Sequence, residues 1–299
     1  LGTRGCGFFA EWICGYETLS VGVLKKMQEE IRENTQQTSP SAERGNLEDL
    51  ELAVEAGRIL LENGAEISRV EETMERIARH FGIADAQFFV LSNGIFATGM
   101  QEGCQRTYAK VLHIPVCGAR LDKVAAVNQF SREIEAGAYT AAEARQALQR
   151  IRQLPDRPRG QQILAAGIGS ACFCYLFGGR GVECLAALAA GLLLYAFLCL
   201  TARRISKIMR NLCGAALAAF FCVACHACGF GETLGRMVVG AVIPLIPGVS
   251  FTNGIRDIAD GDYLSGTIRL LDALLVYVCI AIGVGLAFWL GQRIFGGVL

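Results

Sequence analysis

The pattern of apolar and polar positions divides the chain into two stretches of different character. Between residues 46 and 155 apolar side chains recur at helical or strand spacing among many charges. Asn46 can cap a helix whose first turn carries Glu48, Asp49 and Glu51 against the positive end of the helix dipole, with Leu50, Ala53, Val54 and Ile59 to Leu61 on one face. Asn63-Gly64 interrupts it, and Ile67, Val70, Met74, Ile77 and Phe81 then predict a second amphipathic helix ending at Gly82. From Gln87 the period shortens. Phe88 to Leu91, Ile95 to Thr98 and Tyr108 to His113, separated by Ser92-Asn93-Gly94 and Gln101-Glu102-Gly103, predict three antiparallel strands. Two helices, about Leu121 to Ala136 and Ala141 to Leu154, complete an α+β domain of two helical pairs around a small meander.

Beyond Pro155 the apolar residues run in blocks at about 161–177, 181–200, 212–230, 237–251 and 270–290. Most approach the roughly 20 residues a helix needs to cross the bilayer; the fourth is short and broken. The expected fold is therefore an α-helical polytopic membrane protein with about five transmembrane helices in residues 160–299, preceded by an N-terminal α+β cytoplasmic domain at 46–155. Residues 1–45 are an unassigned extension ending in a polar linker, and Glu11 and Glu17 argue against a cleaved signal peptide there.

Composition agrees: 53% of residues are hydrophobic and the mean hydropathy is +0.38, more apolar surface than a soluble core can hide. Basic residues sort by side. Arg150, Arg152, Arg157 and Arg159 precede the first span, Arg203, Arg204, Lys207 and Arg210 follow the second, and Arg256 and Arg269 flank the last loop. The alternate loops carry few, so the positive-inside rule places the N-terminal domain in the cytoplasm and the C-terminus outside a plasma (inner) membrane. The formal net charge is zero, which offers no field for nucleic acid.

Nine of the thirteen cysteines lie in the apolar half, where they read as small apolar residues, and Cys104 and Cys117 form no CxxC pair; no disulfide is expected. Cys222, Cys225 and Cys228 with His226 read as helix packing, not as a metal site. Phosphate-loop, HExxH and GxSxG motifs are absent from the sequence, so neither catalysis nor a cofactor is expected. Glu62, Glu66, Glu71 and Glu72 interleave with Arg58, Arg69 and Arg76 as a solvated, ion-paired face. His80 and His113 read as partly buried surface histidines, and Glu183 as a span-edge residue reaching the interface. Ala165 with Gly169, Ala187 with Gly191 and Gly231 with Gly235 are small pairs that would let helices approach.

The segment from Val242 to Asp257 (VIPLIPGVSFTNGIRD) carries the chemistry. Pro244, Pro247 and Gly248 remove backbone donors inside an apolar span, and a broken span is where transporters place substrate sites; a kinked structural helix is the plainer alternative. The candidate substrate path is Pro247, Gly248, Thr252, Asn253, Arg256, Asp257 and Asp272. Arg256 would attract a carboxylate, and Asp257 or Asp272 would carry a coupled proton or bind an ammonium group. Pairing of Asp272 with Arg256 or Arg269 is the structural alternative.

Leu52 to Gly57 (LAVEAG), Leu60 to Ala65 (LLENGA) and Ser68 to Glu72 (SRVEE), followed by Pro247 to Asp257 (PGVSFTNGIRD) and Gly261 to Gly266 (GDYLSG), resemble the threonine/serine exporter family over about residues 46 to 290. The resemblance implies a secondary transporter that exports small amino acids or, in a two-subunit branch, dicarboxylates such as succinate. The longest members continue into a second membrane half, so this chain resembles the long subunit of the split type. Its implied partners are a small polytopic membrane subunit, a small-molecule substrate and the lipid bilayer, within an oligomer. The alternative is a membrane-anchored regulatory or scaffold protein whose cytoplasmic domain binds a partner.

Overall fold

The computed structural model describes residues 43–100, 107–114, 118–202 and 204–296; Cys104, Cys117, Arg203 and the extension 1–42 lie outside the described residues. The chain forms two compact units. The described part of residues 1–154 joins with Thr252–Ile268, and Pro155–Phe251 joins with the part from Arg269 onwards.

In the first unit, helix α1 (Glu43–Glu62) begins before Asn46, so that residue lies inside the helix and does not cap it. The helix ends in a Schellman turn: Gly64 takes φ 81°, Ala65 N–H bonds Leu60 O at 3.0 Å and Gly64 N–H bonds Leu61 O at 3.2 Å. Helix α2 (Ile67–His80) returns along α1, and Gly57 is what lets them meet, because a Cβ there would lie 2.3 Å from Met74 Sδ. Strands β1 (Ala84–Leu91), β2 (Gly94–Met100) and β3 (Thr107–His113) form an antiparallel meander in the order β1-β2-β3. Pairing of Leu91 with Gly94 leaves Ser92-Asn93 as a two-residue turn. Val90, Ile95 and Ala97 point into the core with Ile59, Leu60, Ile67, Met74 and Ile77. Helices α3 (Leu121–Glu135) and α4 (Ala141–Arg152) close it with Ile134 and Leu148, α4 starting in a Thr140/Glu143 capping box. Full burial of each of these large side chains contributes about 1.5–3 kcal/mol. His80 and His113 are exposed, not partly buried, since each lies at the end of its element beyond the core stripe.

In the second unit, α5 (Arg159–Leu176), α6 (Gly181–Thr201), α7 (Lys207–Ala227) and α8 (Leu234–Val242) are followed by a 3₁₀ turn (Ile243–Leu245). Helices α9 (Gly248–Ala259) and α10 (Tyr263–Phe295) each contribute to both units. Among the described residues α6, α7 and α10 are long and apolar enough to cross a membrane, and the bent pair from Leu234 to Ala259 makes four if taken as one span. The first apolar block, α5, falls short by that measure because its first turn holds Arg159, Gln161 and Gln162. Small residues line the packed interior: Ala186, Ala190, Ala215, Ala218, Ala219 and Ala241 are buried together. The glycines that permit this are Gly167, Gly191, Gly240 and Gly283, where a Cβ would approach a neighbour within 2.3–2.7 Å. Of the glycines singled out above, Gly191 belongs to this set and Gly231 is also tight, with a Cβ there 2.8 Å from Met237 Sδ, whereas Gly169 and Gly235 face open space.

Candidate functional site

The apolar run from Leu234 does break. Pro244 and Pro247 lack the N–H groups that would reach back to Gly240 and Ile243, so the α-helix gives way to the 3₁₀ turn and restarts at Gly248 with its axis turned by 67°. Ile246 N–H bonds Ile243 O at 3.0 Å and Gly248 N–H bonds Ile246 O at 2.8 Å, a tight local closure of the backbone. The N-terminal end of α9, carrying the positive end of its dipole, therefore opens directly beside the break. Phe251, one turn in, stacks edge-on against Tyr277 of α10 with ring centres 5.8 Å apart.

From Thr252 the predicted residues belong to the first unit. Asn253, Arg256 and Asp257 share one face of α9, as their spacing of three and four dictates. Asn253 Nδ2 donates to Gly64 O at 2.8 Å, Arg256 Nη1 pairs with Glu66 Oε1 at 2.9 Å, and Asp257 Oδ1 accepts from Ile67 N–H at 3.1 Å. One turn on, Ser68 Oγ donates to Asp260 Oδ2 at 3.3 Å, and Ser265 Oγ in α10 accepts from Ser92 N–H at 3.2 Å. Asp257 is buried, while Thr252 is exposed and Arg256 keeps 58% of its side chain exposed beside Glu66.

Asp272 stands apart in the second unit. It pairs with Lys207, at the first residue of α7, with Nζ 2.6 and 2.9 Å from the two carboxylate oxygens, while Arg256, weighed for this place from sequence, pairs with Glu66. Nothing in local spacing points to Lys207, because the two residues belong to different helices.

Other polar positions were also hidden from sequence. Glu183 is buried at 3% exposure instead of reaching out, and its carboxylate accepts from Arg180 N–H at 2.8 Å and Thr233 N–H at 2.7 Å. Glu71, read above as solvated, accepts from Val90 N–H at 3.0 Å; burial pushes its carboxyl up from the ordinary value, and the charge of Asp262 adds to that. Glu62, Glu66 and Glu72 do pair at helical spacing, with Arg58 at 2.8 Å, Arg69 at 3.8 Å and Arg76 at 2.6 Å. The His226 ring bonds Gly231 O at 2.8 Å, and Cys222 is buried where Cys228 is exposed.

Comparison with known proteins bears on this arrangement. The family model for threonine/serine exporters matches residues 51–291, from within α1 through the break. A protein of Klebsiella aerogenes named "Probable succinate transporter subunit YjjP" is 26% identical over 240 residues, 79% of this chain and 91% of that one. Its namesake in Escherichia coli K12 is 25% identical over 244 residues, 80% and 93% of the two chains. A "Probable threonine/serine exporter" of Mycobacterium tuberculosis is 20% identical over 240 residues, 79% of this chain and 45% of that protein. No solved structure matches.

Proposed function

The chain belongs to the threonine/serine exporter family, and from that premise we propose that it is one subunit of a secondary transporter exporting a small carboxylate-bearing metabolite, either threonine or serine or a dicarboxylate such as succinate. Relatives covered over most of their length are named as transporter subunits, which supports completion of the pathway by a second, small membrane subunit. The N-terminal unit lies in the cytoplasm and the C-terminus outside, as the distribution of arginine and lysine between loops favours.

The observation that carries this reading is the 67° break between α8 and α9 within the matched region. A helix that restarts inside an apolar segment offers an oriented dipole and reshaped backbone at membrane depth, where a charged solute otherwise finds nothing to replace its water. Pro247 and Gly248 shape that point, Thr252 and Asn253 supply neutral polar groups one turn beyond, and the exposed guanidinium of Arg256 receives the carboxylate. Asp272 is the candidate for the coupled proton or for a substrate ammonium group, which would compete with Lys207 for it.

The test is efflux of serine, threonine and succinate from cells expressing this chain with and without its cognate small subunit. Export of at least one of them that needs both proteins, and that falls tenfold or more in Arg256→Ala, supports the reading. Equal efflux in all strains refutes it. Reporter fusions at the two ends check the orientation.

A further inference from the structure

We propose that Asp257 is a positioning residue: it caps α2 and thereby fastens the Asn63–Ile67 turn onto α9, which sets Asn253 and Arg256 for the substrate.

Helix α2 starts without help from its own sequence. Its N-cap residue, Glu66, is extended at φ −67° and ψ 149° and makes no side-chain cap bond, and Glu66 instead pairs with Arg256. The first amides of a helix need acceptors, and a carboxylate there is doubly favoured by the hydrogen bond and by the dipole. Asp257, 190 residues further along the chain, supplies that acceptor to Ile67 N–H at 3.1 Å. With 1% of its surface exposed, the carboxyl repays its removal from water through this contact and the helix end it faces.

Asp257 does not act alone. Asn253 on Gly64 O and Arg256 on Glu66 lie on the same face of α9, and Asp260, just past its end, accepts from Ser68, so the cap sits within a row of contacts. Asn253 and Arg256, both assigned to the substrate path, precede it on that face, and each is oriented by an atom of the turn that Asp257 holds. The turn is itself stiff, being closed by the Schellman bonds and by Asn63 Nδ2 on Ile59 O at 2.6 Å. A rigid turn clamped by a buried carboxylate fixes the side chains around it, whereas a carrier of protons or ammonium would need its carboxylate free to change partners.

This inference rests on the exporter reading, and asparagine separates the two roles. Asparagine ranks with aspartate as an N-cap and keeps the acceptor oxygen, yet it carries neither a proton nor a charge. The experiment uses the full chain with its small subunit in proteoliposomes, and hydrogen exchange on the purified full chain. Expected for Asp257→Ala is a rise of roughly fivefold in the half-saturating substrate concentration, with amides 67–70 exchanging roughly fivefold faster, the cost of one lost cap. Asp257→Asn is expected to restore both, with the pH profile of efflux unchanged. Loss of export in the asparagine variant equal to that in the alanine variant overturns the proposal in favour of a carrier. So does an alanine variant with unaltered exchange and kinetics. If the alanine chain does not accumulate, the asparagine variant decides alone, wild-type export supporting the cap and lost export overturning it. If the wild type exports none of the three solutes, the exporter reading fails separately, and the exchange comparison still decides whether Asp257 caps α2.

Discussion

Lys207 Nζ lies 2.6 and 2.9 Å from the two oxygens of Asp272, joining the first residue of α7 to α10. Both side chains are about half exposed, at 51% and 39%, so the pair adds only about 0.5 kcal/mol to stability. Lys207→Ala is accordingly expected to move the unfolding midpoint little. If Asp272 serves transport, Asp272→Asn lowers export tenfold or more in an efflux assay, and the exchanged pair Lys207→Asp with Asp272→Lys leaves stability near that of the wild type without restoring export.

Glu183 is expected to be the most costly polar residue of the second unit to remove. Its carboxylate holds the amides of Arg180 and Thr233 at the starts of α6 and α8, and each buried amide left without an acceptor costs about 1–3 kcal/mol. Glu183→Ala should lower thermal stability in detergent by several degrees, and Glu183→Gln, which keeps an acceptor oxygen, by less.

The glycines of the bundle should divide sharply on substitution. A methyl at Gly240 would sit 2.7 Å from both Ser170 O and Cys174 Cβ, contacts the backbone cannot yield cheaply. Gly240→Ala is expected to destabilise by about 1–3 kcal/mol. At Gly169 nothing lies within 4 Å, so Gly169→Ala should be neutral or stabilising by up to about 1 kcal/mol. Paired thermal melts of the two variants read the difference directly.

Two carboxylates of the first unit should give opposite slopes of stability against pH. Burial raises Glu71 in the folded chain, so between the ordinary glutamate value and the raised one the folded state binds the proton more tightly, and stability falls as pH rises through that window. Asp122 is held down at about 2 by its hydrogen bond with Arg120, so its contribution is present above the ordinary aspartate value and fades as pH falls towards 2. Denaturation followed from pH 7 to acid should lose the first slope in Glu71→Gln and the second in Asp122→Asn.

What sequence made legible was whatever a short window determines. The α1–α2 hairpin follows from apolar spacing interrupted at Asn63-Gly64, the meander from the change of period at Gln87, and the break from two prolines three residues apart in an apolar run. The polar contacts were illegible for the converse reason. Asp257 with Ile67, Ser265 with Ser92, Lys207 with Asp272 and Glu183 with Thr233 join residues from distant parts of the chain, so no periodicity records them. Glu66 and Glu71 show the consequence. Arginines at helical spacing made both look solvent-paired, yet Glu66 adds the closer Arg256 to its expected partner Arg69, and Glu71 faces Val90 N–H.

The first unit is discontinuous in the chain, taking in Thr252–Ile268 after an excursion through the whole of α5 to α8. A ribosome delivers residues at about 5–20 per second, so the amide of Ile67 waits roughly 10–40 s for the carboxylate that caps it. The N-terminal unit thus reaches its final form only after most of the apolar helices have been made, which links its maturation to theirs. A fragment ending near Leu154 would keep the hydrophobic core yet expose the amides of Ile67 and Ser92, leaving it frayed at the turn where the missing segment docks.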